Sequence, residues 1–164
     1  MFCPMLLLFS LLLPGVSTAG DAKPQAKIGE LLIVADGILY THEELANRGN
    51  PRPGYHYVRI SGTISNVGKH ALCGLLSAKL ETTYNLESLG TVTLAGSPIP
   101  GIHQLLPGEH LPAEFDFDVK DGVDPLRLVI KQNEKGQGCS RKEPLPLTSR
   151  EASFTVANIP TVAE

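Results

Sequence analysis

The chain has 164 residues, of which 42% are hydrophobic and 19% charged, a composition typical of one globular domain. Its formal net charge of −3 argues against a clustered basic surface, so no nucleic-acid partner is expected. Aromatic residues make up only 5% and tryptophan is absent, which disfavours an aromatic platform for stacking bases or sugars.

The first 19 residues have the pattern of a secretory signal peptide. Their apolar run, residues 6–13, is too short to span a bilayer, and the small residues Ser17 and Ala19 suit cleavage before Gly20. A retained anchor is the alternative. The pattern predicts an exported protein, periplasmic or extracellular, with no membrane span once the signal is removed.

Export changes the interpretation of the cysteines. Loss of Cys3 with the signal leaves Cys73 and Cys139 in an oxidising compartment, where a disulfide between them is the expected pairing. Two free thiols or an intermolecular bond are the alternatives. Neither cysteine belongs to a Cys-x-x-Cys motif, which argues against a catalytic thiol.

The first part of the mature chain predicts a leader, a strand and a short insertion. Residues 20–27 are small and polar and should form a flexible leader, and 28–40 predicts a strand with a bend or bulge at Asp36–Gly37. Thr41 and Glu44 have the spacing of a capping box, which predicts one short helical turn before the proline-rich segment 50–54.

Residues 57–66 carry the clearest signal in the chain. Val58, Ile60, Gly62 and Ile64 alternate with polar residues, as in a strand with one buried and one solvated face. The turn at 66–68 leads into a second long strand, 72–84, whose alternation places Cys73 off the core face. Further strands are predicted over 88–94, 102–106, 115–119, 126–130 and 153–159, with a long polar loop over 132–147.

This succession of short strands and turns predicts an all-β fold, an antiparallel immunoglobulin-like β-sandwich of about seven or eight strands. The β-barrel is the main competing architecture. The predicted organisation is a signal peptide over 1–19, the leader over 20–27 and a single sandwich domain over 28–164.

Several of these signals resemble a known family. The segment Gly62-Thr-Ile64-Ser-Asn66, the turn Leu106-Pro-Gly-Glu109 and Phe115 resemble the FxLYD-type immunoglobulin-like domains of prokaryotic envelope proteins, over about residues 55–130. The segment 79–84 stands where the family's Leu-Tyr-Asp element would fall. The resemblance implies an extracytoplasmic module without catalytic residues.

No chemistry-bearing motif stands out. The five histidines include no His-x-His or His-x-x-x-His pair, so neither a metal site nor a cofactor is predicted: His42, His56, His70, His103 and His110. The acidic residues between 109 and 124 predict the solvated face of a strand, with calcium as the alternative. The chain also lacks the motifs of serine hydrolases, zinc proteases and phosphate-binding loops, so no enzyme is expected.

One group of basic residues is a candidate partner-binding loop: Lys131, Lys135, Arg141, Lys142 and Arg150. The resulting hypothesis is a binding or structural module that mediates protein interaction in the cell envelope, with another envelope protein as its partner. The alternative is an envelope protein that binds a small ligand or a metal.

Overall fold

The computed structural model describes residues 22–46, 48–97, 101–132, 139 and 151–162, and the described part is all-β. It contains nine strands: β1 (Gln25–Ile28), β2 (Leu31–Thr41), β3 (Tyr55–Asn66), β4 (Leu72–Thr82), β5 (Glu87–Leu94), β6 (Gly101–Leu105), β7 (His110–Lys120), β8 (Pro125–Gln132) and β9 (Glu151–Thr155). Short 3₁₀ segments occupy Thr83–Asn85 and Val156–Asn158, and no described helix is long and apolar enough to cross a membrane. The predicted all-β class is confirmed.

The strands form two antiparallel layers that share one strand. The first layer has the order β1-β2-β3-β7-β5, and the second has β5-β4-β8-β9 with β6 also paired to β4. Strand β5 pairs with β4 through residues 87–90 and with β7 through residues 91–94. Within the described residues, the path of paired strands runs from β1 to β9 with no ladder between these two strands, as in a sandwich.

The core lies between the two layers and is built by side-chain alternation. The inward rows contain Ile60 and Ile64 from β3, Phe115 and Phe117 from β7 and Leu80 from β4, all at most 1% exposed. Burying an aliphatic or aromatic side chain of this size contributes roughly 1.5–3 kcal/mol before the entropy of ordering it is subtracted. The predicted inward row of residues 57–66 is confirmed, since Val58, Ile60 and Ile64 are all buried.

Gly90 marks the place where β5 leaves one layer for the other. A Cβ atom at this position would collide with the ring of Phe117, which is fully buried. Only glycine lets β5 pass this close to the core aromatic while keeping both ladders intact.

Three local predictions are wrong. Residues 28–40 do not form one strand, because Gly29 (φ 57°) and Glu30 make a tight turn between β1 and β2. Strand β1 therefore includes residues 25–27, which were assigned to the flexible leader. The capping box also starts no helix: the Glu43 amide donates to Thr41 Oγ1 at 2.9 Å, and the chain turns instead.

The predicted bulge at Asp36–Gly37 is confirmed, because the register of β2 against β3 shifts between Ala35 and Gly37. Segments from both ends of the described chain cover the other edge of β2. The Ala35 amide donates to Pro24 O at 2.8 Å, and the Ile38 amide donates to Pro160 O at 2.9 Å. This edge of the sheet is thus largely closed to strand addition.

The connections at one end of the sandwich converge on Asn66, and we call this the Asn66 end (residues 29–30, 66–71 and 105–109). The Asn66 side chain is 1% exposed, and its Nδ2 donates to His70 O at 2.7 Å and to Leu105 O at 2.9 Å. Its Oδ1 accepts from the Gly68 amide at 2.9 Å, which forms the predicted turn at 66–68.

Candidate binding surfaces

The predicted disulfide is present. Cys73 and Cys139 are bonded, with an S–S distance of 2.07 Å and a Cα–Cα distance of 4.8 Å. Cys73 is on the outward row of β4, as the alternation predicted, and Cys139 is exposed. The bond therefore ties the segment after β8 to the outside of the sandwich and does not join the two layers through the core.

Of the predicted partner-binding loop, the structure describes only Lys131. This residue lies on β8, and its Nζ is 3.2 Å from Glu151 Oε2 on β9. Four members of the set lie outside the described residues, as does the predicted signal peptide: Lys135, Arg141, Lys142 and Arg150. The basic loop stays a prediction.

One acidic residue of β7 is buried, although the sequence predicted a solvated face for the acidic residues of this strand. Asp116 is only 2% exposed and accepts two hydrogen bonds from Arg59, at 2.6 Å from Nε and 2.9 Å from Nη2. The hydrogen bonds to Asp116 raise the pKa of the Arg59 guanidinium above its usual value. The prediction that Asp116 lies on a wet face is wrong.

A loop contact explains this burial. The segment after β2 folds over the outer face of the sheet, so that the Arg48 guanidinium lies 5.0 Å from the Tyr57 ring and donates to Asp116 O at 2.8 Å. The Arg48 Nη2 atom is also 3.5 Å from Asp118 Oδ2. Each carboxylate thus has an arginine near it, and among the described residues neither belongs to a group of three or more ligand-type side chains of the kind that a calcium site requires.

The opposite end of the sandwich, which we call the hairpin end, is formed by residues 41–56, 82–89 and 120–126. Four of its apolar side chains face solvent, and we call them the hairpin surface: Tyr84 (81% exposed), Leu86 (49%), Leu89 (81%) and Leu126 (49%). A groove of about 440 Å³ runs beside Leu86 and Leu89 and is also lined by Arg52 and Tyr55. The Arg52 guanidinium stacks over the Tyr55 ring at 4.2 Å.

The turn that carries Tyr84 has an unusual backbone. Tyr84 (φ 64°) and Asn85 (φ 56°) both adopt the left-handed conformation, which costs about 1–2 kcal/mol for a residue with a Cβ and is uncommon for tyrosine. Hydrogen bonds hold the turn in place: the Thr82 amide and hydroxyl both donate to Leu86 O at 2.9 Å, and the Thr83 amide donates to Asp124 O at 2.9 Å. The turn therefore holds the tyrosine out into solvent.

Three ligand-type side chains also meet at the hairpin end, and we call them the His–Asp cluster: His42, His56 and Asp121. The Asp121 Oδ1 atom is 3.0 Å from His56 Nδ1 and 3.2 Å from His42 Nε2. The ligand atoms of all three residues lie within 4.8 Å of one another. The hydrogen bond from His56, and secondarily that from His42, lowers the pKa of Asp121.

The strand registers explain why these residues meet. His56 is paired with Val119 across the β3–β7 ladder, and Thr41 of β2 is paired with Tyr57 of β3, so His42 follows as the neighbour of His56. The Asp121 amide donates to Gly54 O at 3.0 Å, which extends the β3–β7 ladder by one more residue pair. The three side chains thus extend inward rows of adjacent strands beyond the end of the apolar core.

The sequence prediction missed this cluster because it examined only spacing along the chain. Asp121 is 65 residues from His56 and 79 from His42. The sequence did contain a signal, because a residue two positions beyond the end of an inward row points to the same side of the sheet. His56 precedes Val58 and Ile60 in this way, and Asp121 follows Phe117 and Val119. Extending those rows past the core would have placed both residues on one face.

Comparison with known proteins shows the fold and nothing finer. No family model and no curated protein matches the chain. The candidate lipoprotein ycdA from Bacillus subtilis subsp. subtilis str. 168 is similar in structure, with a TM-score of 0.52 and 9% identity over 82% of this chain and 38% of that one. An uncharacterized β-sandwich protein from Clostridium difficile 630 has a TM-score of 0.42 and 13% identity, over 65% of this chain and 81% of that one.

Proposed function

We propose that the chain is an exported β-sandwich module that binds another protein of the cell envelope through the hairpin surface. The observation that carries this proposal is the set of four exposed apolar side chains at the hairpin end, two of them 81% exposed, whereas the Asn66 end exposes Val67 (49%) and Leu106 (44%). Leu86 lines one groove together with Leu89 and another together with Leu126, and clustered exposed leucines mark interaction sites more often than isolated ones do.

The residues around this surface have the chemistry of a protein interface. Tyrosine and arginine are the side chains most enriched at the energetic centres of interfaces, and Tyr84, Tyr55 and Arg52 all lie at this end. The hydrogen-bonded turn fixes Tyr84 before binding, so less conformational freedom is lost when a partner covers it. The basic residues predicted between 131 and 150 are a second candidate contact for an acidic partner.

Two observations support export. The disulfide lies at the surface and needs an oxidising compartment to persist. A structurally similar protein from Bacillus subtilis is a candidate lipoprotein, a class that is exported to the envelope. We therefore propose that the chain, after loss of the predicted signal peptide, lies in the periplasm or outside the cell.

Site-specific photocrosslinking in the exporting cells tests the proposal. A benzophenone side chain at position 84 should give one dominant protein adduct, and the same group at Val67, an exposed site at the Asn66 end, should give none. Leu89→Ser should weaken capture of that partner about tenfold or more, as expected for a central interface residue, and Val67→Ser should not. Equal adducts at positions 84 and 67, or no adduct at position 84, would refute the assignment.

A further inference from the structure

We infer that the His–Asp cluster is a binding site for a divalent transition-metal ion such as Zn²⁺. The inference is independent of the hairpin surface and of any protein partner. It rests on the identity, spacing and accessibility of His42, His56 and Asp121.

The donor set selects the class of metal. Two imidazole nitrogens and one carboxylate oxygen suit zinc, copper and nickel, whereas calcium and magnesium prefer sites made entirely of oxygen. Three protein ligands leave at least one coordination position for water or another ligand, as in the open zinc sites of proteins.

The spacing also fits. With metal–ligand bonds of about 2.0–2.2 Å, ligand atoms in a tetrahedral site lie roughly 3.3 Å apart. The separations of 3.0 and 3.2 Å from Asp121 Oδ1 to the two imidazole nitrogens are already close to that value. The widest separation in the cluster is at most 4.8 Å, and a side-chain rotation of one ligand would close it.

The cluster combines one largely buried ligand with two exposed ones. The His56 side chain is 13% exposed and lies beside the Tyr40 ring, with 6.2 Å between ring centroids. The side chains of His42 and Asp121 are 71% and 46% exposed, so both face solvent. An ion can therefore reach the site from solvent without any opening of the core.

One carboxylate oxygen is shared by the two imidazoles. Both imidazole nitrogens approach Asp121 Oδ1, and each contact needs either a ring N–H or a cation between the two atoms. A single metal ion satisfies all three donor atoms at once and displaces the bridging protons.

Isothermal titration of ZnCl₂ into the untagged, disulfide-bonded chain lacking its predicted signal peptide is the first test. We expect one ion per chain with a dissociation constant of about 1–10 μM, and no heat from CaCl₂ under the same conditions. His42→Ala and Asp121→Ala should each weaken zinc binding at least about tenfold. Both side chains are exposed, so circular dichroism of these variants should remain that of the wild type.

The chain contains a matched control. His103 and His110 are exposed histidines at the other end of the sandwich, and the double variant His103→Ala/His110→Ala should bind zinc as the wild type does. Histidine ring ¹⁵N shifts should also show zinc on Nε2 of His42 and on Nδ1 of His56. The assignment would be overturned if His42→Ala and Asp121→Ala bound zinc with unchanged affinity. It would also be overturned if the control variant lost as much zinc affinity as they do.

Discussion

The two ends of the sandwich are built in opposite ways. At the Asn66 end, one buried asparagine side chain makes three hydrogen bonds to two connections, and its backbone adds a bond from the Gly108 amide to Asn66 O at 2.9 Å. At the hairpin end, the turns are equally well hydrogen-bonded, but they hold Tyr84 and Leu89 out into solvent. The first end thus stabilises the fold, while the second presents side chains that the fold itself does not need.

The largest effect is expected at the Asn66 end. Asn66→Ala leaves the buried carbonyl group of Leu105 and the partly buried one of His70 without this donor, which should lower the free energy of unfolding by roughly 2–3 kcal/mol. Urea denaturation followed by circular dichroism measures this change. Asn50→Ala, an exposed asparagine at the hairpin end, is the matched control and should change stability by less than about 0.5 kcal/mol. Similar losses in both variants would contradict the difference between the ends.

The second prediction separates stability from binding at the hairpin end. Tyr84→Gly removes the cost of a left-handed tyrosine, and the exposed side chain has little packing to lose, so stability should rise by about 0.5–1 kcal/mol. Capture of the proposed partner should fall in the same variant.

Tyr84→Ala is the control for that experiment, because it removes the ring but keeps a Cβ in the left-handed conformation. It should lose the partner without becoming more stable. A thermal melt and the crosslinking assay together distinguish the two variants. If Tyr84→Gly is no more stable than Tyr84→Ala, the turn is not strained.

The smallest expected effect is the pH dependence of stability that arises from Glu81. Hydrogen bonds from Arg127 first, and then Lys79, lower the pKa of Glu81 to about 2 from its ordinary value of 4.5. Because the folded state holds this carboxyl ionised more strongly, its contribution is complete above about pH 4.5 and is lost as the pH falls toward about 2. Glu81→Gln should therefore lower Tm slightly at neutral pH, and the difference from wild type should narrow in acid.

Thermal melts across this pH range, with Glu44→Gln at an exposed position as the control, test the pH effect. The ion pair that Glu81→Gln removes lies next to the hairpin end, because Glu81 is paired with Glu87 of β5 and with Arg127 of β8. A difference in Tm that stays constant down to the lowest pH would show that the charge of Glu81 is not involved.

Much of the fold could be predicted because alternation is a local signal. The strand 57–66 and the inward phenylalanines of β7 needed only a period of two. The β1–β2 turn was missed because residues 28–40 are apolar enough to suggest one continuous strand, although Gly29 marked the break. Asp116 was wrongly predicted to be solvated. Arg48, which packs over it, is 68 residues away in the sequence, so no local pattern could indicate the contact.

The candidate sites were harder to predict because they depend on strand register. Nothing in the spacing of His42, His56 and Asp121 brings them together; the β2–β3–β7 ladders do. Leu89 did carry a signal, since the alternation that buries Val92 and Leu94 places this leucine on the outward row. An apolar residue on a solvent-facing row is a reason to look for a partner.

The shared strand β5 has a mechanical consequence. Because it is bonded to β4 through residues 87–90 and to β7 through residues 91–94, the layers cannot slide past one another without breaking one of these ladders. Whichever ladder opens, four residue pairs of β5 must come apart before the layers can separate.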